Sequence, residues 1–263
     1  MRLDKFIANF TLYSRKEVKK LIKAKRITVN DSIASRPEMQ VDEETDTISL
    51  DGQWIGYEPY IYYLLNKPQN CLSTTRPGPT PIVTDFLPAN EVEIYQPFPV
   101  GRLDKDTEGL LLLTNDGDFA HDLLSPKKLV SKEYYAEIEG IVTEEDVEAF
   151  AKGLAINQGD HCAPSQLDIL ATDPAKNRSE ITVTLTEGKY HQVKRMFQAV
   201  GKEVIYLQRF RIGSLYLPEE LELGQTFKLL PEEAQLAFKK QDRLKVPSIS
   251  NKKLLISALA LNQ

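Results

Sequence analysis

Residues 101–109, GRLDKDTEG, place three carboxylates at alternate positions: Asp104, Asp106 and Glu108. Acidic residues at this spacing suit three different roles. They could bind a cation, form a solvated turn, or surround one carboxylate that acts as a nucleophile or base. The rest of the sequence has to distinguish among these roles.

A cation-binding loop is disfavoured by the residues that follow the acids. DKDTEG matches the first half of an EF-hand loop, with acids at its first, third and fifth positions and glycine at its sixth. The twelfth position is Asn115 rather than a bidentate glutamate, and the seventh to tenth positions are leucines. We therefore expect no metal site here. The bracketing glycines and the Asp and Thr residues favour a turn when the segment is considered alone.

The composition indicates a soluble protein with more than one domain. The chain has 263 residues, of which 41% are hydrophobic and 27% charged, and two domains are the usual expectation at this length. Its only cysteines, Cys71 and Cys162, do not form a CxxC pair, which argues against a disulfide framework or a cysteine zinc site. No apolar run is long enough for a membrane span. We predict a cytoplasmic protein.

Charge is distributed unevenly along the chain. Residues 1–30 contain nine Lys and Arg residues against two acids, a net charge of +7, whereas the remainder carries −12 of the total of −5. A basic head on an acidic body predicts that the head binds a polyanion. A solvated helix face is the alternative explanation for the same lysines.

The head, residues 1–52, contains the pattern of two short helices and a small sheet. Ser14 and Glu17 form a capping box that opens the second helix. RITVN and DTISLDG are typical of short strands. The apolar residues at helical spacing are Leu3, Phe6, Ile7 and Phe10 in the first helix and Val18, Leu21 and Ile22 in the second.

Beyond the head, we predict a linker at residues 53–59, a larger domain at 60–238 and a peripheral or mobile tail at 239–263. The larger domain alternates strand patterns such as SEITVTLTEG with helical patterns such as HQVKRMFQAVG. Strands joined by hairpins and interspersed helices predict an α+β fold, with a mostly antiparallel mixed sheet flanked by helices.

These segments carry two resemblances. RLDKFIANF and SRKEVKKLIKAKRITVN resemble the αL (S-four-type) RNA-binding module of a small-subunit ribosomal protein. Four further segments resemble the motifs of the RNA pseudouridine synthases that carry an αL head. They are PVGRLDKDTEGLLLLTNDGDFAHDLLSP, SKEYYAEIEG, LLNKPQNCLST and TEGKYHQVKRMFQAVGKEVIYLQRFRIGSLYL. The likeness runs from residue 1 to about residue 235.

The resemblance implies an enzyme that isomerises uridine to pseudouridine without a cofactor or metal. It implies that Asp104 is the catalytic carboxylate, that Tyr134 packs against the target base and that Lys194 is the counter-ion of Asp104. Arg195 is the alternative counter-ion if the register differs by one residue. Leu103 and Leu185 would line the pocket, and Tyr135 and His191 would be structural. Whether Asp104 attacks the ribose or the base, or acts as a base on the sugar, stays open.

The resemblance also implies ribosomal RNA as the partner. The small-subunit branch is favoured by FAKGLAINQGDHCAPSQLDIL and EGKYHQVKRMFQAVG, which predicts 16S rRNA (a site of the uridine-516 type) or the assembling small subunit as substrate, bound by a monomer. A 23S rRNA synthase and a non-catalytic assembly factor are the alternatives. The predicted RNA-binding residues are Arg2, Lys5, Arg15, Lys16, Lys19, Lys20, Lys23, Lys25, Arg26, Arg102 and Arg195; Arg102 would fill the gap left by a flipped base or clamp a phosphate.

Overall fold

The structure is a computed structural model that describes residues 1–43, 45–55, 58–156 and 160–239. The chain divides into two compact units. The first contains residues 1–60 and 87–96, and the second contains residues 61–86 and the chain from residue 97 onward. Apart from Lys239, the predicted tail at 239–263 lies outside the described residues.

The first unit is a small α+β module with its own apolar core. Helices α1 (Leu3–Phe10) and α2 (Arg15–Lys23) pack with the sheet, and the predicted capping box of Ser14 and Glu17 begins α2. The unit also includes helix α3 (Ala89–Tyr95), which the sequence analysis did not predict. Its antiparallel sheet has the order β2-β1-β3-β4, formed by β1 (Ile27–Val29), β2 (Ser32–Ile33), β3 (Ile48–Leu50) and β4 (Gln53–Ile55).

Strand β4 corrects the predicted linker at residues 53–59. Ile55 pairs with Ile48 of β3 and belongs to the buried core of the first unit. Burying this side chain stabilises the added strand, so Gln53–Ile55 is part of the module and the first half of the linker prediction is wrong. The prediction rested on the Gly, Trp and Pro content of the segment, which does not report on pairing.

The second unit is built on one nine-stranded sheet, as predicted mixed and mostly antiparallel. Its strands are β5 (Tyr62–Lys67), β6 (Phe98–Pro99), β7 (Glu108–Thr114), β8 (Lys132–Glu139), β11 (Gln166–Asp173), β12 (Arg178–Leu185), β13 (Glu203–Ile212), β14 (Leu215–Tyr216) and β15 (Thr226–Leu229). The main path has the order β11-β12-β8-β13-β7-β5-β15, while β14 pairs with β13 and β6 with β7. The pairing of β7 with β13 is parallel. Strands β9 (Ala155–Ile156) and β10 (Asp160–His161) form a separate two-stranded ribbon.

Helices cover both faces of this sheet over two apolar cores. Along β8, Tyr135 enters one core, whereas Ala136 and Ile138 enter the other, as the alternation of side chains along a strand requires. The helices are α4 (Gly117–Leu124), α5 (Glu144–Lys152), α6 (Gln192–Ala199) and α7 (Pro231–Ala234), and the predicted inward residues of α6, Val193, Met196 and Phe197, are buried.

The parallel contact between β7 and β13 depends on Gly109. This residue pairs with Arg209 and has a φ of +104°. A Cβ atom at this position would lie 2.1 Å from the carbonyl oxygen of Arg209, far inside van der Waals contact. Glycine therefore allows the end of the 101–109 segment to lie directly against β13. In the described part of the chain, no helix is long and apolar enough to cross a membrane.

Candidate active site

A cavity that is partly open to solvent lies in the second unit beside the 101–109 segment. Its walls come from that segment, from β8, β12 and β13, and from the loop and first turn that lead into α6. Among the predicted residues, it is lined by Arg102, Leu103, Asp104, Tyr134, Leu185 and Lys194. Residues spread over about ninety positions of the chain thus meet in one place.

Lys67 anchors the segment that carries Asp104. Its side chain is 0% exposed, and its Nζ atom donates hydrogen bonds to the carbonyl oxygens of Asp104 at 2.9 Å and Thr107 at 3.0 Å. It also donates to the carbonyls of Lys105 at 3.4 Å and Pro68 at 3.1 Å. Burial lowers the pKa of Lys67, while nearby acids oppose that shift. A single ammonium group therefore organises the backbone of the whole turn.

A second anchor lies on the other side of Asp104. Ser73 Oγ donates to the Leu103 carbonyl at 2.8 Å and accepts from the Leu103 amide at 3.1 Å. The amide of Asn70 donates to the Lys105 carbonyl at 2.8 Å, and the amide of Thr107 donates to the Asp104 carbonyl at 3.1 Å. Because the backbone on both sides is fixed, the Asp104 side chain projects from a rigid turn.

The Asp104 carboxylate is reachable from solvent and lies near two basic side chains. Its side chain is 28% exposed. Lys194 Nζ lies 3.6 Å from Oδ2, and His191 Nε2 lies 3.5 Å from Oδ1. The structure thus places Lys194 beside Asp104 and does not support the alternative in which Arg195 takes that position. The contact of His191 with Asp104 was not predicted; only a structural role within its own motif was expected for it.

Lys194 is shared between two carboxylates. Its Nζ atom donates to both carboxylate oxygens of Asp106, at 2.6 and 2.7 Å, and is therefore closer to Asp106 than to Asp104. Burial acts to raise the pKa of Asp106, but the hydrogen bond and charge of Lys194 outweigh it and leave the pKa below its ordinary value. Asp106 is thus the principal partner of the lysine.

The third carboxylate of the segment points elsewhere. Glu108 is buried at the start of β7 and accepts a hydrogen bond from the Tyr206 hydroxyl. The described residues contain no cluster of three or more His, Cys, Asp or Glu side chains placed to hold a metal ion. Of the three alternate acids, Asp104 and Asp106 thus share Lys194, whereas Glu108 lies apart from them.

The two neighbouring tyrosines of β8 lie on opposite faces of the sheet, as predicted. Tyr134 lines the cavity, and Leu103 and Leu185 add buried apolar surface to its walls. Tyr135 is buried in the opposite core and donates to the Glu180 carboxylate at 2.9 Å. Burial and this carboxylate raise the pKa of Tyr135, so its hydroxyl stays protonated. Tyr134 is the tyrosine available to a ligand.

The two predicted RNA-binding arginines of this unit differ in their surroundings. Arg102 is exposed at the cavity wall. Arg195 instead contacts Asp160 at 3.4 Å and donates to the carbonyls of Ile156 and Tyr190 at 3.2 and 3.4 Å. It is not among the cavity-lining residues. Its contacts fit a structural role, and the structure gives no support to its prediction as an RNA contact.

In the first unit, the predicted RNA-binding cations fall into two groups. Three arginines form ion pairs within the unit: Arg2 with Asp4 and Glu38, Arg15 with Asp4, and Arg26 with Asp51. The lysines are exposed, and none forms an ion pair with a described acid. The unneutralised group is Lys5, Lys16, Lys19, Lys20, Lys23 and Lys25.

Sequence reasoning missed the roles of Lys132, His191 and Arg209, which line the cavity. It also missed Lys67, which holds the turn that carries Asp104. Lys67 ends a strand and precedes a proline, which is usual for a solvated strand end. Lys132 precedes Tyr134 by two residues, and that spacing could have placed it on the same sheet face. Nothing in the local sequence marks Arg209, because its position depends on the register of β13.

Comparison with known proteins agrees with these observations. Residues 61–199 match the RNA pseudouridylate synthase family and residues 1–48 match the S4 domain family. An uncharacterized RNA pseudouridine synthase of Bacillus subtilis is 42% identical, over 90% of this chain and 98% of its own length. The ribosomal small subunit pseudouridine synthase A of Escherichia coli is 36% identical, over 89% and 98%.

Two further similarities bear on target and fold. The ribosomal large subunit pseudouridine synthase B of Bacillus subtilis is 37% identical, over 89% of this chain and 94% of its own length. A crystal structure of a pseudouridylate synthase aligns with a TM-score of 0.62 and 33% identity, covering 90% of this chain and 99% of that one. This chain therefore belongs to the RNA pseudouridylate synthase family, with an S4 domain at its N-terminal end, and is an isomerase that acts on RNA.

Proposed function

We propose that this enzyme converts a uridine of 16S rRNA to pseudouridine, with Asp104 as its catalytic carboxylate. The observation that carries the proposal is the geometry of Asp104, a partly exposed carboxylate fixed on a rigid turn, 3.6 Å from Lys194 Nζ. The enzyme would act as a monomer in the cytoplasm, on rRNA or on the assembling small subunit.

The cavity suits a nucleotide that has left its helical stack. The reacting atoms of a uridine in a duplex are stacked and paired, so the target must be flipped out of the RNA to reach Asp104 at the cavity wall. Tyr134 would stack against the uracil ring, while Leu103 and Leu185 exclude water from it. Arg102, exposed at the wall, would fill the gap in the RNA or bind a phosphate.

In the reaction, the Asp104 carboxylate would act as a nucleophile towards the bound uridine, at ribose C1′ or at base C6. Lys194 supplies a positive charge beside that carboxylate, and the turn held by Lys67 and Ser73 fixes its direction of approach. Holding the detached base against Tyr134 allows C5 to reach C1′ without the base leaving the cavity. Asp104 would thus carry out the covalent step, and the residues that line the cavity would hold the base in position.

Small-subunit rRNA is supported by the two sequence segments that resemble that branch and by the match to synthase A of Escherichia coli over 98% of its length. The large-subunit synthase of Bacillus subtilis matches at nearly the same identity, so the target must be decided by experiment. The exposed lysines of the first unit would supply affinity through phosphate contacts, without choosing the sequence.

The test is conversion of defined RNAs by the wild type and by Asp104→Asn. Unmodified 16S rRNA, 23S rRNA and assembling subunits of each kind are incubated with enzyme, and pseudouridine is mapped by chemical labelling and primer extension. We expect one modified position, in 16S rRNA or its particle. Asp104→Asn should bind RNA normally and give no detectable conversion.

Asp118→Asn is the matched control, since it makes the same chemical change at an exposed carboxylate in the first turn of α4. It should convert at the wild-type rate. Modification of 23S rRNA alone would overturn the small-subunit target, and wild-type conversion by Asp104→Asn would overturn the role of this carboxylate. RNA binding without conversion by the wild type would instead favour an assembly factor.

A further inference from the structure

Two basic side chains lie on the cavity wall that carries Tyr134. Lys132 and Tyr134 are two residues apart on β8 and so project from the same face. The sheet register places Arg209 of β13 opposite Tyr134, and Leu185 of β12 opposite Lys132. All four side chains line the cavity. The two cations therefore lie on the same cavity wall as Tyr134, on which a base would stack.

Neither cation is neutralised by an acid among the described residues. Arg209 is 4% exposed; its Nε atom donates to the Leu110 carbonyl at 2.9 Å, and its Nη2 group is buried without a hydrogen-bond partner among the described residues. Lys132 Nζ donates to the Val130 carbonyl at 3.2 Å. Neither side chain forms an ion pair with a carboxylate of the described residues. Leaving a charged donor buried and unpaired costs free energy, and Arg209 is one of the residues that line the cavity.

The neighbourhood of Lys132 also affects its protonation. Burial, assisted by the positive charge of Arg209, lowers the pKa of Lys132 to about 8. The other charged side chains that line the cavity are Arg102, Asp104, Glu187, Lys189, His191 and Lys194. Glu187 accepts hydrogen bonds from the Ala163 amide and the Gln192 side chain, and Asp104 contacts Lys194 and His191.

We propose that Lys132 and Arg209 bind the exocyclic oxygens of the target uracil and stabilise the negative charge that develops on the ring. The inference rests on the proposed function, because it requires a uridine in this cavity. It assigns the pair a direct part in bond cleavage, as catalytic residues separate from Asp104 and Lys194.

The chemistry requires such a group whichever atom Asp104 attacks. When the bond between C1′ and N1 breaks, both electrons stay on the base, and the charge spreads over N1, O2 and O4. Attack at C6 would instead place charge on O4 before that bond breaks. The bond from Asp104 to C1′ breaks as C5 bonds to C1′, or its bond to C6 breaks afterwards, and either way the carboxylate is regenerated. The proton at C5 is lost and N1 gains one, so the isomerisation balances without an added reagent. Fixed cations at the oxygens stabilise either charged species.

A phosphate is the less suitable partner for this pair. Lys132 and Arg209 share their wall with Leu185 and Leu207, both buried, and a phosphate loses strong hydration when it enters an apolar environment. Arg102, which is exposed, offers a phosphate a site that stays in contact with water. A flat ring with two carbonyl oxygens fits this wall better than a phosphate does.

The test measures single-turnover conversion through tritium released from C5 of labelled uridine, in wild type, Lys132→Met and Lys132→Arg. Removing one donor to a developing oxyanion typically lowers the rate about 10²-fold, and we expect a loss of this size for Lys132→Met. Its affinity for RNA should stay within about twofold, both for the normal substrate and for RNA with an abasic target residue. Lys132→Gln, which also lacks the charge, replaces the methionine variant if that variant does not fold.

The pH profile gives a second readout. The cationic form of Lys132 exists below its pKa, so the wild-type rate should fall as the pH rises through about 8. Lys132→Arg keeps the charge over this range. It should retain measurable conversion and lose the decline near pH 8.

Three outcomes would overturn the inference. They are conversion by Lys132→Met at the wild-type rate, a decline near pH 8 that persists in Lys132→Arg, and an equal loss of affinity for normal and abasic RNA, which would identify a phosphate contact. A failure of the proposed function would look different, because the wild type itself would then convert no uridine in any RNA.

Discussion

Replacing Lys67 by methionine tests whether one buried ammonium group positions the catalytic carboxylate. The variant keeps an apolar side chain of similar length but removes hydrogen bonds of 2.9, 3.0 and 3.1 Å and a weaker one of 3.4 Å. A hydrogen bond to a charged group contributes about 1.5–3 kcal/mol, and three of these give a gross loss of roughly 4–9 kcal/mol. The cost of burying the ammonium group, several kcal/mol, is recovered in the variant.

We therefore expect the free energy of unfolding to fall by about 3 kcal/mol, the difference between those opposing effects. For a domain of this size, that loss lowers the melting temperature by roughly 6–12 °C. The larger effect should be on catalysis. A displacement of about 1 Å at a reacting group can cost about 10²-fold in rate, and three of the lost hydrogen bonds hold the turn that carries Asp104.

The assay is single-turnover conversion at a temperature where the variant is fully folded, together with thermal unfolding. Lys202→Met is the matched control, because Lys202 is a mostly buried lysine that pairs with Asp146 at 2.8 Å and does not line the cavity. It should be destabilised yet convert uridine at the wild-type rate. The reasoning would be refuted if folded Lys67→Met also converted at that rate, since the turn would then hold its geometry without the lysine.

Two further predictions concern the sheet and the basic head. Gly109→Ala should destabilise the enzyme by more than about 3 kcal/mol, because its Cβ would meet the Arg209 carbonyl at 2.1 Å in a backbone conformation unfavourable to alanine. At Gly117 an added Cβ meets no atom within 4 Å, so Gly117→Ala should change the melting temperature little. Equal melting temperatures of the two variants would contradict the close contact between Gly109 and Arg209. Replacing three exposed lysines of α2 should weaken RNA binding and reduce the slope of log affinity against log salt by about 2–3, as measured by filter binding, and an unchanged slope would place the RNA on another face. The three replaced residues are Lys19, Lys20 and Lys23.

Local patterns predicted the elements whose signals are local. The capping box placed the start of α2 at Ser14, and the alternation of side chains placed Tyr134 and Tyr135 on opposite faces of β8. Helical spacing identified the buried face of α6, whereas the place of Lys194 at the cavity was expected only from the resemblance to the synthase motif. The three local patterns each depend on residues a few positions apart, so composition and period were sufficient.

Features that depend on distant pairings could not be predicted in the same way. The partners of Lys67 are carbonyl oxygens up to 40 residues away, and a carbonyl group carries no sequence signal. Arg209 reaches the cavity only because β13 pairs with both β7 and β8 in one register. Strand β4 was missed for a related reason, since its pairing with β3 outweighs a composition typical of linkers. The roles of Asp104, Tyr134 and Lys194 stay predictions.

The sharing of Lys194 has a consequence for the course of a reaction. Whenever an oxygen of Asp104 forms a covalent bond, that side chain loses its charge and can no longer balance a neighbouring cation. Asp106, 67% exposed and within 2.7 Å of the same ammonium group, would keep its charge throughout. The lysine would then stay paired from the free enzyme to the bonded intermediate and back, so turnover would leave no isolated positive charge beside the nucleophile.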